Sequence, residues 1–574
     1  MSRTDTLVAT FLATARSRGA ATALRTKRNG AWVSVSWTEW ERRARALAAS
    51  LVDAGVEPGD RVAIFGGTRE EWVVADLAIL MAGAITVPIY PSLVGEQAAY
   101  ILVDSGARVL IAEDASFVKR IADHDPAVIE RMTRAVLFAD LPATDPSKEL
   151  AAKVDARIAA TKPDDLATIV YTSGTTGSPK GVMLTHLALV TDTRGLEAFV
   201  DVGPDDEQLL FLPLAHIFGK MLVMMQYRRG YSSAFAESLL KALDNAAEIN
   251  PTFMGCVPRL YEKVYAVANE RAAAAGGVKH RLFKWATAVG QAKQGGWGRY
   301  WADRLVLSKI RARFGSRLRF AISGGAPLAK ELAEWFDGAG LLVLEAYGLT
   351  ETTGGTTMNS MAEHRFGTVG KPLPGIEVKI AADGEVLVKG PTVMRGYWQH
   401  EEATREVLDP DGWFHTGDIG DFDPEGFLRI TDRKKDIIVT AGGKNVSPQN
   451  IENLMKQSVW VSQAMVHGDK RPYLVALVTL NVETAVRFAR ERGMPTVDVG
   501  GAGIEAIAGH ADVRAAVQRE IDAVNARLSS FETVKKFTIV ARDFSIEGGE
   551  LTPTLKVKRK VVSDRYRALL DAMY

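Results

Sequence analysis

A short apolar run that breaks into a loop of glycines and hydroxyls constrains this chain most. Leu166-Ala167-Thr168-Ile169-Val170 is brief and β-branched, the pattern of a buried strand. Tyr171-Thr172-Ser173-Gly174-Thr175-Thr176-Gly177-Ser178-Pro179-Lys180-Gly181 follows without a break. Glycines admit positive φ and let a ligand come close to the backbone. Successive N–H groups and hydroxyls can wrap phosphate oxygens, and Lys180 can neutralise their charge. This is not a Walker A loop, because no Gly-Lys-Ser/Thr follows the first glycine at the required spacing. Composition alone equally describes a plain surface loop, so the rest of the chain must decide.

The surrounding pattern is α/β. Apolar residues at helical spacing cover residues 35–55, and Gly55 lies near the end. Arg61–Phe65 reads as a strand, Trp72–Met81 as a helix, Ile85–Ile89 and Leu110–Ala112 as further strands. Strands alternating with helices predict parallel βαβ units, and a similar rhythm returns after residue 160. A chain of 574 residues exceeds one hydrophobic core, so two or more domains are expected. A formal net charge of +1 gives no reason to invoke nucleic acid. The single cysteine, Cys256, excludes an internal disulfide and fits a reducing, cytoplasmic setting; it reads as a small core residue. The first nineteen residues lack a sustained apolar stretch, so they do not form a signal peptide. The longest apolar run, Leu77–Leu93, is broken by Pro88 and is too short to span a membrane.

Several further strings carry chemistry. Phe211-Leu212-Pro213-Leu214-Ala215-His216 places a histidine after an apolar strand, where a packed core histidine is the ordinary outcome. Leu318–Ser323 and Leu341–Leu344 read as strands running into Gly324-Gly325-Ala326-Pro327 and into Glu345-Ala346-Tyr347-Gly348-Leu349-Thr350-Glu351-Thr352. Ligands on open α/β sheets bind at such carboxyl ends. Residues 376–430 alternate as β structure, with a Trp413-Phe414-His415-Thr416-Gly417-Asp418 string inside them. Thr431-Asp432-Arg433-Lys434-Lys435-Asp436 is a charged cluster that reads as a domain boundary and solvated linker. Beyond it, Ala441-Gly442-Gly443-Lys444 forms a second glycine loop. The small remainder reads as helix, hairpin (Ala464–Val466 with Tyr473–Leu480), helix (Val513–Leu528) and strand (Phe537–Ala541). Near the end lies a basic stretch, Leu551-Thr552-Pro553-Thr554-Leu555-Lys556-Val557-Lys558.

In this order the strings resemble the motifs of the adenylate-forming superfamily, which includes acyl-CoA synthetases, luciferases and peptide-synthetase adenylation domains. The resemblance covers nearly the whole chain, and Met254–Val264 with the long basic-aromatic segment to Phe314 looks like the long-chain fatty acid–CoA ligases. It implies a large N-terminal domain (1–431) of parallel layered sheets with a β-barrel-like subdomain. A hinge (432–436) and a small mobile α+β C-terminal domain (437–574) complete it. It implies ATP, Mg²⁺ and CoA, with a fatty acid as the second substrate. By resemblance Thr172, Ser173, Gly174, Thr175, Thr176, Gly177 and Lys180 take the phosphates. Gly325, Ala326, Glu345, Ala346, Tyr347 and Gly348 surround adenine, Tyr347 stacking on it. Thr350 meets the α-phosphate, Asp418 the ribose hydroxyls, and Arg433 the ribose or phosphates. Glu351 and Thr175 would hold Mg²⁺, the former as a hard carboxylate ligand. His216 would position the carboxylate substrate. Asp432 and Lys435 fall in the hinge, and Gly442, Gly443 and Lys444 face CoA. Lys556 would bridge carboxylate and α-phosphate as charge builds. Register leaves Lys558 as a second candidate.

The same resemblance frames the alternatives. An adenylate-only ligase feeding a carrier protein is disfavoured because the chain ends at Tyr574 without a carrier domain. The long Arg271–Phe314 segment argues against an aryl or shorter-chain CoA ligase. A noncatalytic nucleotide- or lipid-binding protein would not need every matched position to hold a competent residue. The segment itself reads as a surface helix pair, a substrate tunnel wall or a peripheral membrane contact. Homodimers occur in the family, and no stretch here demands one.

Overall fold

The computed structural model describes residues 6–172, 178–293, 295–494, 504–552 and 555–574. The run that opened the sequence reading is a strand, Leu166–Thr172, in a six-stranded sheet. Across that sheet the order is Arg134–Leu137, Val109–Ala112, Arg61–Phe65, Ile85–Ile89, Leu166–Thr172 and Lys180–Thr185. The first five strands are parallel, as β-branched runs separated by helices require. The last pairs antiparallel, with Thr172 opposite Lys180. Both ends of the glycine loop are therefore tied to adjacent strands, a partner that the βαβ rhythm did not foretell. Ser173–Gly177 lie outside the described residues.

A nine-stranded sheet carries the downstream motifs. Its parallel centre includes Glu207–Leu210, Phe253–Cys256, Phe320–Ser323 and Leu342–Tyr347. Antiparallel strands finish both edges, Ala31–Ser36 on one side and Thr357–Met358 with Lys371–Pro372 on the other. The expected barrel-like part is a four-stranded antiparallel sheet of Glu377–Ile380, Glu385–Lys389, Phe414–Phe422 and Leu428–Arg433. A helix, Glu401–Val407, interrupts the stretch that alternation alone had assigned to strands.

One continuous apolar core underlies these sheets and extends as far along the chain as Leu428. A separate core begins at Ile438. It is built on three strands, Val461–His467, Leu474–Leu480 and Val534–Val540, covered by the Pro448–Met455 and Ala511–Asn525 helices. The Val482–Glu491 helix and the short hairpin Ile438–Val439/Asn445–Val446 had no counterpart in the sequence reading. Two-residue strands lie below the length at which alternation becomes visible. Asp432 corrects the reading of its cluster as solvated linker. It belongs to the Leu428–Arg433 strand opposite Ile419, and its buried carboxylate accepts the N–H of Arg433 at 2.6 Å.

The larger core encloses an ion pair. Lys220, 1% exposed, places Nζ 2.5 Å from Oδ1 of Asp76, which also accepts the Thr86 hydroxyl at 2.7 Å. Burial pulls the lysine below its ordinary range, and Asp76 opposes that shift. Removing one member would strand the other charge in an apolar interior. Asp76→Ala is expected to cost about 3–5 kcal/mol in denaturant unfolding of the larger body. Asp76→Leu combined with Lys220→Met is expected to restore most of that loss.

Candidate active site

The carboxyl ends of the strands bring the motifs together, and tight turns set their geometry. Gly348 follows the Leu342–Tyr347 strand, where a Cβ would lie 2.0 Å from the carbonyl oxygen of Gly354. Only glycine lets the chain fold back so closely, and the Thr350–Thr352 turn results. Asp192, fully buried, accepts the Gly355 N–H at 3.1 Å and so holds this turn from behind. Burial raises its carboxyl well above the ordinary aspartate range. Gly325, at φ +81°, and Ala326 are exposed just beyond the Phe320–Ser323 strand. Glu345 is buried, takes the Gly367 N–H at 3.3 Å, and is pushed up to about 8 by desolvation.

Asp418 is the meeting point. Its register partner across the four-stranded sheet is Arg433, whose Nε lies 2.8 Å from Oδ1. Oδ2 accepts the Tyr347 hydroxyl at 2.7 Å. A carboxylate has about four acceptor positions, so two remain for a diol. The structure thus joins the Tyr347 motif, the Asp418 motif and the charged cluster, which the sequence separates widely.

Glu351 is held by an aromatic partner. Its Oε1 accepts the hydroxyl of Tyr397 at 2.9 Å, and the Tyr397 ring lies 5.2 Å from Nζ of Lys180. Lys180 opens the strand after the glycine loop, so Tyr397 links the loop's lysine to Glu351. Sequence reasoning passed over Tyr397. The Gly396-Tyr397-Trp398 triplet was a visible aromatic signal, but only the Val182–Tyr397 bridge shows what it touches. Among the described residues no group of three or more His, Cys, Asp or Glu could hold a metal. A single carboxylate still fits Mg²⁺, which is typically bound by one or two carboxylates together with phosphates and water. Thr175, the other residue expected at the metal, lies outside the described residues, as do the remaining loop positions 173–177.

The C-terminal body reaches into this cluster. Thr552 and Lys556 exchange hydrogen bonds, the Lys556 N–H donating to the Thr552 hydroxyl at 3.0 Å and the Thr552 N–H to the Lys556 carbonyl at 2.8 Å. The side chain of Lys556 is accessible to solvent yet surrounded at longer range by protein. Desolvation first, then Arg433, pull it down to about 8, against Asp418 and Glu351. Its charge is also felt by His216, N-cap of the Ile217–Arg229 helix, whose Nδ1 accepts the Phe218 N–H at 3.1 Å. Burial and the Lys556 charge hold this imidazole down at about 4, so it is neutral at physiological pH. Lys558 instead occupies the N-cap position of the Arg559–Arg565 helix, without a side-chain capping bond. Lys435 is lowered by desolvation and by Arg433, and it too feels Asp418 and Glu351. Gly442, Gly443 and Lys444 lie elsewhere, on the exposed hairpin turn, with Lys444 Nζ 6.0 Å from the Phe531 ring. Cys256 is buried and pushed up to about 12, which makes it inert.

Sequence comparison gives the family of the chain. Residues 11–398 match the model of the AMP-binding enzyme family, and residues 435–574 that of the AMP-binding enzyme C-terminal domain. The chain belongs to the AMP-binding enzymes. It is 41% identical to the long-chain-fatty-acid–CoA ligase FadD15 of Mycobacterium tuberculosis, over 95% of this chain and 93% of that protein. The peroxisomal long chain acyl-CoA synthetase 6 of Arabidopsis thaliana is 34% identical over 92% of this chain and 80% of its own. In fold the chain is similar to the adenylation domain of a carboxylate reductase from Mycobacterium chelonae. That match has a TM-score of 0.76 at 23% identity, covering 99% of this chain and 91% of the other.

If Tyr397 fixes the Glu351 carboxylate, Tyr397→Phe should weaken its hold on a cation while leaving the ring beside Lys180. Half-saturating Mg²⁺ is expected to rise roughly tenfold, the scale of a hydrogen bond to a charged group. Titration of pyrophosphate release with Mg²⁺ checks this; an unchanged requirement would remove Tyr397 from the site.

Proposed function

We propose that the protein is an AMP-forming long-chain fatty acid–CoA ligase, converting ATP, a fatty acid and CoA to acyl-CoA, AMP and diphosphate. The observation that carries the reading is Lys556, delivered by the C-terminal body to a cluster that contains Glu351, Asp418 and Arg433. The long-chain substrate is supported by the names of relatives alike over nearly the whole chain.

A carboxylate is a weak electrophile, so activation comes first. One carboxylate oxygen attacks the α-phosphorus of ATP, the bond to the β-phosphate oxygen breaks, and pyrophosphate leaves with the electron pair. In this reading Tyr347 stacks on adenine and Asp418 takes the ribose hydroxyls. Thr350 and Lys180 meet the phosphates, and neutral His216 lies beside the carboxylate. Glu351 would hold Mg²⁺, which when bound neutralises phosphate charge. Lys556 bridges the carboxylate and α-phosphate, stabilising the charge that gathers between them.

Thioester formation needs a different arrangement, because the thiol must reach the acyl carbon where Lys556 stands. The thiolate attacks that carbon and AMP departs with the electrons of the acyl–oxygen bond. We assign residues 1–431 to the ATP- and acid-binding domain, 432–436 to the hinge and 437–574 to a body that rotates, carrying Lys556 away and Gly442-Gly443-Lys444 inward. The contacts holding the present arrangement suit such a release. Among them are the ion pair of Lys263 with Glu483 at 3.2 Å, that of Arg527 with Glu331, and the Arg259 donation to the Ser462 hydroxyl at 3.0 Å. Exposed pairs of this kind contribute about 0–1 kcal/mol each. No helix among the described residues is long and apolar enough to cross a membrane, and action in the cytoplasm with peripheral access to membrane-borne acids completes the reading.

Pyrophosphate release with ATP, Mg²⁺ and octanoate, laurate or palmitate, with and without CoA, tests the function. Turnover that needs CoA and yields acyl-CoA is expected; slow release indifferent to CoA would favour the carrier-protein ligase. Lys556→Ala is expected to slow adenylation by roughly a hundredfold or more while sparing thioester formation from supplied acyl-adenylate. Because the cation is lost as pH rises through about 8, kcat/KM for adenylation should fall above that pH. Lys556→Arg should carry whatever activity it retains to higher pH without that fall.

A further inference from the structure

The strand Ile85–Ile89 of the six-stranded sheet runs into Tyr90-Pro91, and a residue before proline is held extended. A firm turn follows. The Leu93 N–H donates to the Tyr90 carbonyl at 3.0 Å, and Arg120 donates to the carbonyls of Pro91 at 2.7 Å and Leu93 at 3.0 Å. Arg120 is itself seated over the Phe117 ring at 4.7 Å. Tyr90 is thereby fixed at the carboxyl end of its strand, beside the strand that enters the glycine loop.

What it meets comes from the other large sheet. The Tyr90 ring lies 6.4 Å from that of His216, edge to face at 67°. His216 commits Nδ1 to the Phe218 N–H, so its proton is on Nε2 and remains to be donated. Both rings are half-buried and surrounded at longer range by protein, as is Lys556, whose charge reaches His216. Groups in that condition line an internal cleft. The apolar part of Tyr90 packs on the core of the six-stranded sheet, which a phenylalanine would do equally well. Its hydroxyl is surplus to that packing and makes no hydrogen bond with a described residue. Burial pushes the phenol above its ordinary range, so it keeps its proton. Tyr227 and Tyr261 also carry unpartnered hydroxyls, but those are sealed in the core beyond a ligand's reach.

We infer that the Tyr90 hydroxyl and the Nε2–H of His216 together donate to the acyl oxygen that does not attack phosphorus, which makes Tyr90 a further catalytic residue. The inference deepens the ligase reading and rests on it. In adenylation one carboxylate oxygen bonds to the α-phosphorus, and the other becomes the carbonyl oxygen of the adenylate. In thioester formation the thiolate sulfur bonds to the acyl carbon, and the carbonyl pair moves onto that oxygen. The pair then returns to re-form the carbonyl as AMP leaves with the electrons of the acyl–oxygen bond. No proton leaves either donor. Lys556 has been carried away by then, so the charge gathering on oxygen needs donors fixed to the larger body. Tyr90 and His216 both belong to it.

Tyr90→Phe keeps the ring and removes only the donor. Pyrophosphate release with laurate, and thioester formation from supplied lauroyl-adenylate, are each expected to slow about ten- to hundredfold, the scale of one hydrogen bond to a charged oxygen. KM for ATP and the unfolding temperature should not move. Two ligands separate the hydroxyl's contact from a general distortion. Lauroyl-sulfamoyl adenosine keeps the acyl carbonyl, whereas in dodecyl-AMP a methylene replaces it. By calorimetry Tyr90→Phe should bind the first roughly tenfold more weakly than the unsubstituted protein does, and the second equally well. Equal weakening for both ligands, a loss in adenylation alone, or unchanged rates in Tyr90→Phe overturns the inference. An unsubstituted protein that releases no pyrophosphate with any acid sinks the ligase reading and this inference with it. An active protein indifferent to Tyr90→Phe sinks this inference alone.

Discussion

Two carboxylates, Glu351 and Asp418, are the condition on which the site exists. Lys556, Arg433, Lys435 and Lys180 converge from three stretches of the chain, and without an anion among them they would repel one another. Asp418 holds Arg433 directly at 2.8 Å, and both carboxylates oppose the depression of Lys556. Triphosphate is a stronger anion than either. In the proposed ligase reading the cluster is assembled in advance for a substrate that replaces protein charge with its own, and reorganisation on binding is small.

The rigidity needed for this comes from uncharged or internally paired groups beneath. Asp192 and Glu345 are buried and shifted toward the neutral form, and each accepts a backbone N–H from a loop at the strand ends. Lys220, one turn after His216, is locked to Asp76 of the neighbouring helix. Such groups do not touch the cluster; they fix the turns and the helix end that present it. The C-terminal body, by contrast, meets the larger body mainly through polar surface pairs, which release at low cost. A firm floor and a loosely held lid suit two reactions carried out in one place.

Much of this was legible because the site is made of contiguous strings. The Glu345–Thr352, Trp413–Asp418 and Thr552–Lys556 strings each carry their chemistry within eight residues. Tyr397 was not legible, since its meaning lies in touching Glu351 and Lys180, one before it by forty-six residues and the other on a strand that it bridges. Asp432 was misjudged for the opposite reason: a run of five charged residues, itself included, describes a linker, and only strand pairing with Ile419 buries it.

The sequence by itself determined the layered α/β architecture and the inventory of chemical groups, because periodicity, glycine positions and charge act locally. Only the tertiary structure decided that Lys556 rather than Lys558 lies within reach of Arg433, Asp418 and Glu351, and that Gly442–Lys444 stands apart in this arrangement. It alone also set Asp418 between Tyr347 and Arg433. Those outcomes depend on how two separately folded bodies meet and on which strands pair, and long-range pairing leaves no signature in local spacing.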